Sequence, residues 1–182
     1  MIKLETFKKE DFQQLIDWID NDRLMTNWAG ALFSFPLTED SLDWYIQDTN
    51  DMKNSDTFVF KAVETATGQT VGHISIGSIS WKNKSARVSR VLVGNTEKRG
   101  RGICQGMINA ILKLGFEGLE LHRITLGVYD YNKAAIRCYE KCGFKTEGVM
   151  RDSFRYQDTE YWTLVEMGIL EDEWRELQAA KE

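Results

Sequence analysis

Residues 91–144 decide the fold: VLVGNTEKRGRGICQGMINAILKLGF, then EGLELHRITLGV, then YDYNKAAIRCYEKCGF. The stretch reads as a strand, a glycine-rich turn, a helix, a second strand and a second helix. The turn is Arg99-Gly100-Arg101-Gly102, and it runs straight into an amphipathic segment. Ile103, Met107, Ala110, Ile111 and Leu114 recur on one face of a 3.6-residue period. The helix therefore starts within or just after the turn. A helix start presents unpaired N–H groups and the positive end of a dipole. Glycines there let an anionic group approach the backbone closely. A phosphorylated cofactor is the expected guest.

Spacing separates the kinds of phosphate loop. A P-loop ends in glycine, lysine and a hydroxyl residue, whereas this chain has Gly102-Ile103-Cys104. A dinucleotide fingerprint starting at Gly100 needs a third glycine where Gln105 stands, and Gly106 comes one place too late. What remains is Arg99-x-x-Gly102-x-Cys104 between a strand and a helix. It resembles the pyrophosphate loop of the GNAT superfamily of N-acetyltransferases, R/Q-x-x-G-x-G/A, with Cys104 in place of the small last residue. Asn132, Ala135, Tyr139 and Cys142-Gly143-Phe144 resemble the same family's N-x-x-A-x-x-x-Y-x-x-x-G-F segment. The resemblance runs from about Thr57 to Leu170. The long N-terminal part and the ending from Phe154 to Leu170 look most like the ribosomal-protein alanine and polyamine branch.

The resemblance implies acetyl-CoA as cofactor and acetyl transfer to a primary amine. Arg99, Gly100, Arg101, Gly102, Cys104 and Gln105 would then hold the pyrophosphate. Leu92 and Val93 would pair with the peptide-like pantetheine, and a bulge at Gly94-Asn95 would free a donor for the oxyanion. Tyr139 is the family's usual acid for the leaving thiolate. It also falls on the apolar stripe of its helix with Ala135, Cys138 and Cys142, so a core role stands beside the acid role. Asn132 is a candidate for the pantetheine and equally for a helix cap. No acid occupies the strand before the loop, Arg87-Val88-Ser89-Arg90-Val91. A general base is sought among Ser89, Asp130 and a glutamate of the last strands. His73 and His122 read as structural. Trp28, Phe35 and Tyr156 are candidates for the acceptor pocket, and a homodimer is implied by the resemblance alone. The missing strand carboxylate leaves a second reading open, a non-catalytic module that binds acyl-CoA.

Outward from this centre the chain reads as one N-acetyltransferase domain over residues 1–182. A strand at 2–7, helices from Lys9 and Thr38, and a meander of strands at 57–63, 71–79 and 87–93 precede the loop. Strands at 144–149 and 159–170 and a helix at 171–180 follow the centre. The expected architecture is α/β: a mixed, splayed sheet of about six to seven strands with helices on both faces. Hydrophobic content of 42% and charged content of 28% suit a globular domain. No apolar run reaches membrane-spanning length. The first residues, MIKLETFKKEDF, lack an apolar export core, so a cytoplasmic location is expected. A net charge of −5 disfavours nucleic acid and suits a cationic substrate. The three cysteines read as reduced, buried thiols rather than a metal pair at Cys138 and Cys142.

Overall fold

The chain enters along an edge strand, β1 (Ile2–Thr6), and then lays three short helices, α1 (Phe12–Trp18), α2 (Asp22–Ala29) and α3 (Glu39–Ile46). A computed structural model describes residues 1–94 and 102–180. Local chemistry sets the helix starts. The Asn21 side chain accepts from the Leu24 N–H at 2.8 Å and the Thr38 hydroxyl from the Ser41 N–H at 3.2 Å. Asp22, Glu39 and Asp40 sit in first turns, where the dipole favours them.

A meander follows, β2 (Phe58–Glu64), β3 (Thr70–Ser80) and β4 (Ser85–Val93). Helix α4 (Ile103–Lys113) carries the chain over to β5 (Arg123–Tyr129), parallel to β4. Helix α5 (Lys133–Lys141), the hairpin β6 (Lys145–Gln157) and β7 (Glu160–Leu170), and α6 (Glu171–Ala179) complete the fold. The seven strands form one sheet in the order β1-β2-β3-β4-β5-β7-β6. This is the mixed α/β sheet that the sequence led us to expect.

Alternation along β3 divides the interior. Ile74 and Ile76 face the α4 side, where Met107, Ile108, Ile111 and Leu112 are fully buried. His73 points the other way, against the rings of Phe7, Trp28 and Tyr45 beneath the N-terminal helices. The same alternation puts Ser75, 0% exposed, on the His73 side of the sheet.

Four expectations need correction. The helix read from Lys9 is a 3₁₀ turn, Lys9–Asp11, followed by α1. Strand β6 runs to Gln157 rather than Val149, because its hairpin partner β7 pairs with it as far as Gln157 and Glu160. A bulge in β4 lies at Arg90, ahead of the one expected at Gly94-Asn95. Pairing jumps from Ser75–Ser89 to His73–Leu92, so two residues of β4 oppose one of β3. Arg90 takes a φ of +51° there. Gly94 meets a different constraint, since a Cβ at that position would overlap the Trp18 ring. Asn95 lies outside the described residues. Finally, Cys104 and Cys138 form a disulfide, where reduced thiols were expected.

Candidate active site

The site exists because two parallel strands stop pairing. β4 and β5 are joined at three positions, Ser85–Arg123, Ala86–Ile124 and Arg87–Thr125, and no further. Beyond Arg87 the Trp28 indole N–H donates to the Arg90 carbonyl at 2.9 Å and ties the freed length of β4 to α2. At the base of the split, the Arg87 guanidinium donates twice to the Glu166 carboxylate of β7, at 2.7 and 2.8 Å. That bridge passes over β5 at Gly127, where a Cβ would collide with the guanidinium. Glycine at 127 is therefore what lets an ion pair lock the base of the split.

Two cavities open along the parting. The larger, about 800 Å³, is lined by Leu92 and Val93 of β4, by Gly102, Cys104 and Gln105 at the start of α4, and by residues of α2 and α5. Among the described residues its charged lining is basic: Arg23, Lys133, Arg137 and Lys141. In a chain of net charge −5 this is a local reversal of sign, and it suits a phosphorylated guest. Gly102 caps α4 with a φ of +79°, the left-handed region, and nothing lies within 4 Å of where its Cβ would be. Glycine is thus required there by backbone conformation rather than by space. Ile103, Cys104 and Gln105, whose N–H groups begin α4, line the cavity with it. Leu92, Val93, Gly102, Cys104, Gln105 and Asn132, expected around the cofactor, all line this cavity. Arg99, Gly100 and Arg101 lie outside the described residues.

The smaller cavity, about 170 Å³, fills the split itself and is lined by Ser89, Arg90 and Val91 on one side and by Leu126, Gly127 and Val128 on the other. Tyr139 and Asn132 line both cavities. Tyr139 is 6% exposed, and burial pushes its phenol well above the ordinary value, so it stays protonated at neutral pH. Asn132 caps α5, its side chain accepting from the Ala135 N–H at 3.2 Å. The Cys104–Cys138 bond pins the first turn of α4 to the turn of α5 that carries Tyr139. Cys142 is buried, its sulfur 3.9 Å from the Gln105 carbonyl.

The base candidates sort differently from the acid. Ser89 lines the small cavity beside Tyr139. Asp130 lines neither cavity, and its backbone N–H is spent on Thr163. Among the glutamates of β7, Glu166 is engaged by Arg87 and Glu160 by Arg23. No carboxylate lines either cavity among the described residues. His122 is exposed. His73 is buried, and its ring contacts and its Nδ1, 3.1 Å from the Arg90 carbonyl, make it structural. Of the acceptor candidates, Trp28 is buried and lines the small cavity, Tyr156 is half-buried against Trp162, and Phe35 lines neither cavity. The sequence reading missed Arg23, Asn27 and Tyr131. They come from α2 and the β5–α5 turn, which only the fold brings together.

Residues 2–145 match the family model "Acetyltransferase (GNAT) domain". The chain belongs to that family. Spermidine N(1)-acetyltransferase of Vibrio cholerae is 28% identical over 162 residues, 86% of this chain and 88% of the relative. Aminoglycoside N(6')-acetyltransferase type 1 of Klebsiella pneumoniae is 22% identical, covering 82% of this chain and 76% of the relative. Among solved structures, the spermidine N-acetyltransferase from Vibrio cholerae in complex with CoA and spermine superposes with a TM-score of 0.80. It shares 23% identity and covers 96% of this chain and 98% of its own. The protein is an acetyl-CoA-dependent N-acetyltransferase, and the basic cavity at the start of α4 fits that cofactor.

Proposed function

We propose that this GNAT protein acetylates a primary amine of a di- or polyamine and that Tyr139 is the acid of the reaction. The observation that carries the reading is the place of Tyr139, on the wall common to the basic cavity and the cavity in the strand split. Acetyl-CoA supplies the thioester that an amine attacks. The residues of the chain do the rest. The start of α4 and the freed edge of β4 orient the cofactor, while the split admits the acceptor from the other side. Placing the two partners together can contribute about 7–11 kcal/mol. The Tyr139 phenol holds a proton ready for the departing sulfur, and its burial keeps that proton in place to high pH. Ser89, which lines the small cavity, takes the amine proton by way of water. A polyamine acceptor draws its support from the spermidine-acetylating relative and from the acidic balance of the chain.

Tyr139→Phe should lower kcat by about 10²-fold or more, the scale of general acid catalysis, while calorimetry shows acetyl-CoA affinity within about twofold. Equal turnover under conditions where chemistry is rate-limiting would remove the acid role. Release of free CoA with spermidine in excess of that with a monoamine tests the acceptor. The proposal includes a cytoplasmic location, where the thiol pool would set the Cys104–Cys138 pair between bond and dithiol. It also includes a homodimer, supported by Val149 and Met150 standing exposed on the outer strand β6.

A further inference from the structure

Beside the large cavity lies a group of rings with a cation already among them. Arg23, from the first turn of α2, places its Cζ 5.1 Å from the ring centre of Trp162, 5.3 Å from Tyr156 and 5.5 Å from Tyr131. One of its amino groups lies 2.9 Å from the Glu160 carboxylate. The Trp162 indole N–H donates to the same carboxylate oxygen at 2.7 Å. Tyr156 stacks on Trp162 at 4.5 Å, and Tyr131 meets it nearly at a right angle at 5.1 Å, so the rings form a corner. Tyr129 backs Trp162 at 4.8 Å, and the Tyr131 hydroxyl donates to Asn27 at 3.0 Å. This is the chemistry of an organic-cation site, aromatic faces plus the fixed Glu160 carboxylate, with the Asp22 carboxylate beside the Tyr156 hydroxyl. The indole bond and the guanidinium hold the Glu160 carboxyl below its usual range, and burial pushes the Tyr131 phenol up to about 12. At neutral pH the carboxylate is charged and the Tyr131 ring neutral.

We propose that Tyr131, Tyr156, Trp162 and Glu160 form a binding site for a second ammonium group of the acceptor, and that Arg23 fills it when no acceptor is bound. Three facts favour a ligand over a fixed strut. The Arg23 side chain is 52% exposed, so a flexible, half-solvated guanidinium occupies the corner and a small ammonium can take its place. Arg23 and Tyr131 also line the cavity that holds Tyr139, which puts the corner beside the reaction centre. No carboxylate lines either cavity among the described residues, so a polycation entering there finds its negative partner at Glu160, behind Arg23. An acceptor with two or more separated cationic groups spans from the split to the corner; a monoamine cannot.

The inference rests on the polyamine reading for the identity of its ligand, and binding and turnover are therefore measured apart. Spermidine and propylamine are titrated calorimetrically into the intact protein and into Arg23→Gln, Glu160→Gln and Tyr131→Leu. Arg23→Gln should tighten spermidine about fivefold or more by vacating the corner. Glu160→Gln and Tyr131→Leu should each weaken it about fivefold or more, and propylamine should respond to none of them. Spermidine binding that is unchanged or weaker in Arg23→Gln makes Arg23 a strut and overturns the proposal. Failure of spermidine to bind any of the four proteins overturns it as well. Release of CoA from acetyl-CoA is followed in parallel. Turnover that persists with insensitive binding leaves the transferase standing and removes the corner site. The expected binding pattern without turnover on either amine leaves the corner site and removes the proposed acetylation of polyamines.

Discussion

The two faces of the sheet are built on different principles, and the contrast explains where the chemistry sits. Under α4 the interior is closed with aliphatic side chains: Ile74, Ile76, Met107, Ile108, Ile111, Leu112 and Ile124 are all fully buried. Under the N-terminal helices the same strands carry His73 and Ser75, and Arg90 comes over the Tyr45 ring at 5.0 Å. Two buried polar atoms there, His73 Nε2 and Arg90 Nε, have no hydrogen-bond partner among the described residues. Such groups cost stability when buried. The first face is a scaffold that fixes α4 as a platform. The second accepts a cost and, at the Arg90 bulge, bends β4 away from β5 and opens the split. Rigidity on one side and a frustrated, bent strand on the other are complementary halves of one cleft.

The contrast breaks most visibly at Met107. It fills the space over Gly72, where an added Cβ would meet its sulfur at 2.7 Å and the Leu92 carbonyl at 2.5 Å. Met107→Ala should cost about 2–5 kcal/mol by urea denaturation, and equally at pH 7 and pH 5, since nothing titratable is touched. A loss under about 1 kcal/mol would mean that the α4 face is not tightly packed.

The opposite face should instead be sensitive to pH. Burial lowers the His73 pKa from 6.5 to about 4, so the folded chain holds the ring neutral while the unfolded chain takes up a proton. Between those values the unfolded state binds more protons, and stability rises with pH. It is intact above about 6.5, falls as the pH drops, and stops falling near 4, where the folded ring also protonates. The full loss is roughly 3 kcal/mol. Carboxylates held low, such as Glu147 beside Arg123, give up their share below their ordinary 4.5, so most of the pH 5–6.5 interval belongs to His73. His73→Asn keeps a donor for the Arg90 carbonyl and removes the titration. A slope that survives in this variant would shift the burden to other groups.

The sequence showed the first face better than the second, for a physical reason. Aliphatic residues at helical spacing produce a pattern that a single chain displays, and α4 is legible in that pattern. A splayed sheet was expected, but the devices that open it were not legible. The split depends on pairing that stops after Arg87, on a bulge at a non-glycine residue, and on Gly127 making room for an ion pair between β4 and β7. None of these leaves a periodic mark. The corner around Arg23 is likewise assembled from α2, the turn after β5 and the β6–β7 hairpin, so its parts lie far apart in the chain. The disulfide escaped for the same reason, because Cys104 and Cys138 meet only once α4 and α5 pack.

Asn132 gives the finest test, because it stands where the two halves meet and has two complete explanations. Its side chain caps α5, which accounts for about 1 kcal/mol. It also lines both cavities, which gives its amide group access to ligand. Asn132→Ala loses both functions and should cost about 1 kcal/mol of stability together with acetyl-CoA affinity. Asn132→Asp keeps an oxygen for the Ala135 N–H but loses the amide donor and adds a negative charge to a cavity whose charged lining is basic. We expect its unfolding midpoint to match the wild type within a few tenths of a kcal/mol. Its acetyl-CoA affinity should fall severalfold, since the new charge opposes an anionic cofactor. Aspartate that leaves both quantities at wild-type values would reduce Asn132 to a cap. Tyr139 would then be the only α5 side chain assigned to the reaction centre, and α5 would act chiefly as its mount.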